Sequence, residues 1–393
     1  MKKYLLFFPF LLMIFPVFSQ NEILPRFPAL NQNGSQLAFS WQGDIWVHDF
    51  ESNRSTRLTV NESYEESPVW TRDGQRVIFT TNRFGSPDLM AIDVRKGNPQ
   101  RLTYYSTSDT DPSVDASGNI YFTSSRAYKQ LEREYEIMIL PEGESTPYRF
   151  MDALGSEPVL SPDGRWMAFV RGNCRIVREQ YRGPANRDIW LYEIATDRYV
   201  QITTDEGQDV NPQWTDDGKL YFLSARSGTY NVHSVELTSA GEPGTISAVT
   251  NFEDDGIRDY SIAGDGSRLV VERQDQFQTI DLSHGGVTPI EFSLPGDFYS
   301  YHNNFISLQK KVSGYAVSPD ETFIALEAHG DIFIVRNDKD NPRTNHLIRH
   351  AWKDYDPICN TDSTLMYISD RHGQEDVFQV APGDTAFTTL YES

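Results

Sequence analysis

The chain has 393 residues with 56 acidic against 35 basic side chains, a net charge of −21. Such a balance repels phosphate backbones and anionic membrane surfaces, which excludes nucleic acid as a natural partner. Two cysteines, Cys174 and Cys359, are too few for a disulfide-built scaffold, while a 13% aromatic content supplies a large core without cross-links.

At the N-terminus, Lys2 and Lys3 precede the apolar run YLLFFPFLLMIFPVF, and small Ser19 leads into polar Gln20. This is the pattern of a secretory signal peptide over residues 1–19, with Val17 and Ser19 at the small-residue positions before the cut. The run is shorter than the ~20 residues that span a bilayer, and Pro9 and Pro16 interrupt it. The expected product is exported, periplasmic in a Gram-negative source, with no membrane span after cleavage.

From Phe27 onward one sequence unit recurs, most clearly as SPVWTRDGQRVIFTTNRFGSPDLMAIDVRKGNPQRLT from Ser67 to Thr103. Short apolar and β-branched runs alternate with Asp73-Gly74, Gly85-Ser86 and Gly97-Asn98, pairs that make hairpin turns because glycine adopts positive φ without a clash. The unit therefore predicts four antiparallel strands. Equivalent turns fall at Gly34, Gly74, Gly118, Gly164, Gly218 and Gly266, with Glu321 and Ser363 replacing glycine in two later copies. A period in the forties with four strands per unit is that of a β-propeller blade, which buries both faces only in a ring. The fold class is all-β. Trp70, Phe79, Trp166, Phe169, Trp190, Tyr192, Trp214, Tyr221 and Phe222 are expected to pack between blades rather than to bind a ligand.

Residues that carry chemistry are sparse. There is no GxSxG elbow, no HExxH, no CxxC pair and no phosphate-cradling glycine loop, so no cofactor and no metal is implied. His346 and His350 have ligand spacing only on a helix, and alignment with the RLT copies makes that stretch a strand and a loop. Arg83, Arg126, Arg226 and Arg371 recur after the second strand, and Asp44, Asp88 and Asp188 open the third. These are expected to bond turn carbonyls and amides.

The SPDG and RLT motifs by themselves resemble TolB-like propellers. The order of the copies, the insert IVREQYRGPANRDIWLYEI in the fourth and the passage SGYAVSPDETFIALEAHGDIFIV resemble the N-terminal part of tricorn-type serine proteases. Tyr181-Arg182-Gly183 followed by Asp188-Ile189-Trp190 is the most specific element. The resemblance covers the chain from about Phe27 to its end.

It implies a six-bladed propeller over residues 20–300, then a linker and the first two blades of a second, incomplete propeller over 301–393. One closed eight-bladed ring is the competing arrangement. Apolar surface on the two extra blades, at Ile324, Leu326, Ile332 and Phe333, is expected to be partly uncovered. The resemblance further implies peptide or unfolded-protein substrates, with protein partners at the propeller face and assembly into homo-oligomers left open. The family's catalytic residues lie beyond its propellers, so none is assigned to this chain. An adjacent arginine pair in the third blade's loop holds a substrate carboxylate in the family. The comparable KQLEREYE offers Arg133 but places Glu132 at the other position. Arg133 and Arg182 are thus the candidate substrate-binding residues. The expected role is a non-catalytic propeller that gates or docks peptides. The alternative is a free-standing TolB-like propeller that binds a protein partner.

Overall fold

The structure, a computed structural model, describes residues 23–126, 135–205, 207–282, 284–294, 307–308, 310–347, 350, 352–382 and 387–391. The signal-peptide segment and Arg133 lie outside these residues. Every regular element among them is a strand, and the strands form eight four-stranded sheets, each made of four consecutive strands in sequence order. We number these sheets blades 1 to 8: residues 26–57, 65–101, 109–154, 156–201, 209–248, 257–289, 312–346 and 354–391.

The turn from the first to the second strand is the same in every blade. The turn glycine donates its N–H to the carbonyl three residues back, as in Gly74 to Thr71 at 2.8 Å and Gly164 to Ser161 at 2.9 Å. Its φ is positive, +66° and +71° in these two cases. Where an aspartate precedes it, that side chain fixes the loop: Asp73 accepts from the Thr71 hydroxyl and the Gln75 N–H, and Asp163 does the same for Ser161 and Arg165. Glu321 and Ser363 adopt φ of 59° and 63° in the two copies without glycine, at the steric cost that glycine avoids.

The chain divides into two compact units, Met1–Pro295 and Gly296–Ser393. In the first, the opening strand of each blade packs against that of the next, in the cyclic order 1, 2, 3, 4, 5, 6 and back to 1. The ring is thus complete with six blades, which disposes of a single eight-bladed ring. Its core lies between blades: Phe79, Phe122, Phe169, Phe222 and Phe277, one from each of five successive blades, are fully buried.

Among the described residues no blade combines strands from the two ends of the ring, so the ring closes by packing and hydrogen bonds between the sheets of blades 1 and 6. Phe27 donates its N–H to Glu272 of blade 6 at 3.0 Å, Arg26 pairs with the same carboxylate at 2.5 Å, and Leu30 N–H bonds Ser261 Oγ at 2.9 Å. Glu272 is 3% exposed.

The second unit contains blades 7 and 8 packed through Phe323, Ala325, Ile332, Leu347, Leu365, Tyr367 and Phe378. Ile332 is therefore core, contrary to the sequence expectation, because it sits on the opposite face of its strand from Phe333. Tyr315 and Val317 share the other face with Ile324, Leu326 and Phe333, and they are 71% and 49% exposed.

Removing the Glu272 carboxylate should weaken the one junction that joins chain-distant blades. Glu272→Ala is expected to cost about 2–3 kcal/mol, against about 1 kcal/mol for Thr123→Val at an internal junction. Urea unfolding midpoints of the two variants check this.

Candidate functional site: the lumen of the six-bladed ring

Five of the six inner strands carry a proline preceded by a residue with positive φ: Phe27, Ser67, Asp111, Glu157 and Asn211, between 48° and 56°. At each, the pairing register with the second strand slips. Proline has no N–H, so the ladder loses no donor where the bulge opens it. At Phe27, Glu157 and Asn211 the bulged residue's own N–H is turned toward a neighbouring blade. Glu157 N–H donates to Thr123 Oγ1 at 3.0 Å and Asn211 N–H to Glu157 Oε2 at 2.6 Å. Blade 8 repeats the device, Asp356 N–H reaching Glu327 Oε2 at 3.0 Å.

These strands surround a cavity of about 820 Å³ lined by residues from all six blades. Its lining carboxylates are Asp111, Asp115, Glu157, Asp163, Asp259 and Glu272, with Arg26, Arg72 and Arg258 among the lining residues. Burial pushes the Asp111 and Glu157 carboxyls up, and burial with the nearby Glu272 charge pushes Asp259 well up. Asp259 Oδ1 accepts from Asn211 Nδ2 at 2.5 Å and from the Tyr260 N–H at 2.7 Å.

The blade 4 insert overhangs the lumen. It leaves and rejoins the blade through Gly172, whose φ is +113° and where an added Cβ would lie 1.9 Å from the Asn186 carbonyl oxygen. Gln208 Nε2 donates to the Arg175 and Arg178 carbonyls at 3.0 and 2.6 Å, and Tyr230 OH to that of Ile176, placing Ile176 on the cavity wall. Arg182 lies exposed on this insert and is not among the lining residues. Arg187 at the insert's end reaches Glu157 Oε1 at 3.0 Å. Sequence reasoning missed Arg187; its only signal was its place beside Asp188 in the repeat.

The recurring charges bond chiefly to each other, a correction to the expectation of turn carbonyls. Arg83 pairs with Glu65, Arg126 with Asp109 at 2.7 Å, Arg226 with Asp209 at 3.2 Å and Arg371 with Asp354 at 3.1 Å. The aspartate that opens strand three pairs with the arginine of RLT, Asp44 with Arg57 and Asp88 with Arg101. Turn carbonyls are secondary acceptors, as in Arg101 Nε to Thr103 O at 2.7 Å. Blade 5 has neutral Asn231 and Ala248 at these two positions, and blade 7 has Asp331 with His346 at 2.9 Å. His346 is on a strand and His350 pairs instead with Asp354, so the two do not form a ligand pair.

Within the six-bladed ring, blade 4 alone keeps the aspartate while the arginine becomes uncharged Gln201, which stands opposite Trp190 as Arg57 stands opposite Trp46; in blade 8 the arginine position is likewise uncharged Thr389, and His372 pairs with Asp376 at 3.0 Å. Asp188 Oδ1 is buried without a hydrogen bond. Burial first, then the charges of Asp209 and Asp205, push its carboxyl up to about 6.

A closed ring of six antiparallel blades around an open lumen defines a six-bladed β-propeller. Residues 22–286 match the family described as the Tricorn protease N-terminal beta propeller domain. The chain belongs to that family. It is 27% identical to tricorn protease homolog 1 of Streptomyces coelicolor over 65% of this chain and 23% of that protein. It is 21% identical to the tricorn protease homolog of Saccharolobus solfataricus over 77% of this chain and 28% of that one. The chain thus spans less than a third of these relatives. The crystal structure of the tricorn protease shares the fold at a TM-score of 0.66 and 15% identity, covering 95% of this chain and 40% of that one. A structure assigned as TolB from Agrobacterium tumefaciens has a TM-score of 0.53 at 18% identity, covering 63% and 88%.

Two pH tests follow from these carboxylates. A carboxyl whose folded pKa is raised adds stability at low pH that is lost as pH climbs through that pKa. Gln201→Arg should therefore stabilise the protein by roughly 1 kcal/mol at pH 7.5, a figure discounted for partial exposure, and the gain should vanish below about pH 3, where Asp188 is protonated in both states. Asp259→Asn should behave likewise, raising the melting temperature at pH 8 and leaving it unchanged at pH 4. Thermal melts across pH read both.

Proposed function

We propose that this chain is the N-terminal propeller portion of an exported tricorn-like serine peptidase, and that its lumen gates or docks peptide segments for a protease domain lying beyond it. The observation that carries the reading is the lumen itself, in a ring that matches the family over residues 22–286. A cavity of about 820 Å³ edged by bulged backbone offers an extended peptide room and hydrogen-bonding groups. Acyl transfer needs a nucleophile and a base within hydrogen-bond reach, and the family places these beyond its propellers. The propeller's part is access and orientation.

Native size in the source cells tests this. An antibody raised against residues 27–255 should detect a product much larger than this chain's 44.9 kDa. The purified chain should bind a fluorescein-labelled unstructured peptide saturably without cleaving it. Turnover by the chain alone overturns the non-catalytic role. A product of the chain's own mass favours the second reading, a free-standing propeller that binds a protein partner. That reading has the TolB likeness behind it, which extends to the fold alone.

A further inference from the structure

The six inner turns meet at one end of the lumen, and the residue after the first turn position differs in each: Gln32, Arg72, Ala116, Pro162, Asp216 and Gly264. Three are small or lack a polar side chain. The three long polar ones find each other. Arg72 Nη2 of blade 2 bonds Asp216 Oδ1 of blade 5 at 2.7 Å, and Gln32 Nε2 of blade 1 bonds Asp216 Oδ2 at 2.5 Å.

Blades 2 and 5 stand three places apart in a ring of six, so this ion pair runs across the mouth and not along its rim. Its anchor is built. Asp216 N–H donates to the Gly264 carbonyl at 2.7 Å and Asp265 N–H to that of Gln32 at 3.1 Å, joining the tips of blades 5, 6 and 1. Gly264 gives Gln32 its place, since an added Cβ there would lie 2.0 Å from Gln32 Nε2. Arg72 reaches this cluster from the far side of the ring.

We propose that Arg72 and Asp216 form a latch that closes the turn end of the lumen and opens by breaking this one ion pair. Both side chains remain accessible to water, 43% and 38% exposed. The pair is therefore weak and screened by salt, as a reversible closure requires. Opening it leaves the backbone links among blades 5, 6 and 1 in place, so the ring stays whole. The latch goes beyond peptide docking and stands or falls independently of it, because its test uses no peptide.

The test measures access to thiols placed in the lumen. Ser113→Cys lies two residues from the turn of blade 3, and Ser67→Cys lies at the bulge, farther from the mouth. Each is labelled with a bulky maleimide and followed by peptide mass mapping, which separates it from native Cys174 and Cys359. Adding Arg72→Ala or Asp216→Ala should speed labelling at Cys-substituted 113 by up to about fivefold, the range set by an exposed ion pair, and should leave 67 nearly unchanged. The exchange Arg72→Asp with Asp216→Arg should restore the slow rate.

Salt gives a second reading that needs no variant of the pair. Raising sodium chloride from 0.05 to 1 M should speed labelling at 113 in the parent ring and have no further effect after Arg72→Ala. Unchanged labelling at 113 in a variant that melts like the parent overturns the latch, as does equal acceleration at both positions. Should Arg72→Ala fail to fold, salt-insensitive labelling of the parent overturns it in the same way.

Discussion

The bulge in the inner strand is the constraint on which the ring depends. A regular inner strand, at the edge of its sheet, would give alternate N–H groups to its own sheet and turn the rest toward the lumen, and neighbouring blades would touch through side chains alone. The Pro-preceding residue escapes this. Glu157 turns its N–H to Thr123 and Phe27 turns its own to Glu272, so backbone polarity crosses from blade to blade. The strain of a non-glycine residue at φ near 50° is the cost, of order 1–3 kcal/mol at each position. It is repaid where a donor that the ladder gave up is satisfied in the next sheet. The same bulges bring Asp111 and Glu157 to the lumen, so one backbone device builds both the ring and its polar interior.

The strands and their turns were legible from sequence because their causes are local. Thr71, Asp73 and Gly74 determine a turn among themselves, and the spacing of such turns gives the blades. The partners of the repeated arginines were not legible in the same way. Arg83 and Glu65 are 18 residues apart on different strands, and each side chain alone is equally suited to a turn carbonyl. Ile332 was misplaced for a related reason: an apolar run does not say which of its alternating faces has a neighbour. The lumen bond between Arg72 and Asp216, 144 residues apart, has no sequence signal beyond the difference among six otherwise similar turns.

Comparison between blades shows how charge is managed at the junctions. Where blade 5 loses the arginine it also loses the aspartate, and the site is neutral. Blade 4 loses only the arginine, and Asp188 is left beside Asp209 with a carboxyl that titrates near 6. Within the six-bladed ring, the blade with this imbalance is also the one with the long insert. Arg187, next to Asp188 in sequence, pairs with the lumen-lining Glu157, so it does not serve as the missing partner.

Each blade is made of four strands consecutive in the chain, and no sheet borrows a strand from the other end. A blade leaving the ribosome thus has all of its sheet hydrogen bonds available before the next is made, and ring closure is left to the last contact, between blades 1 and 6. The same modularity acts over evolutionary time. Duplicating a stretch of some forty to fifty residues adds a whole sheet without re-pairing any existing strand. Chains of this kind can lengthen by blades, and blades 7 and 8 have the form that such growth produces.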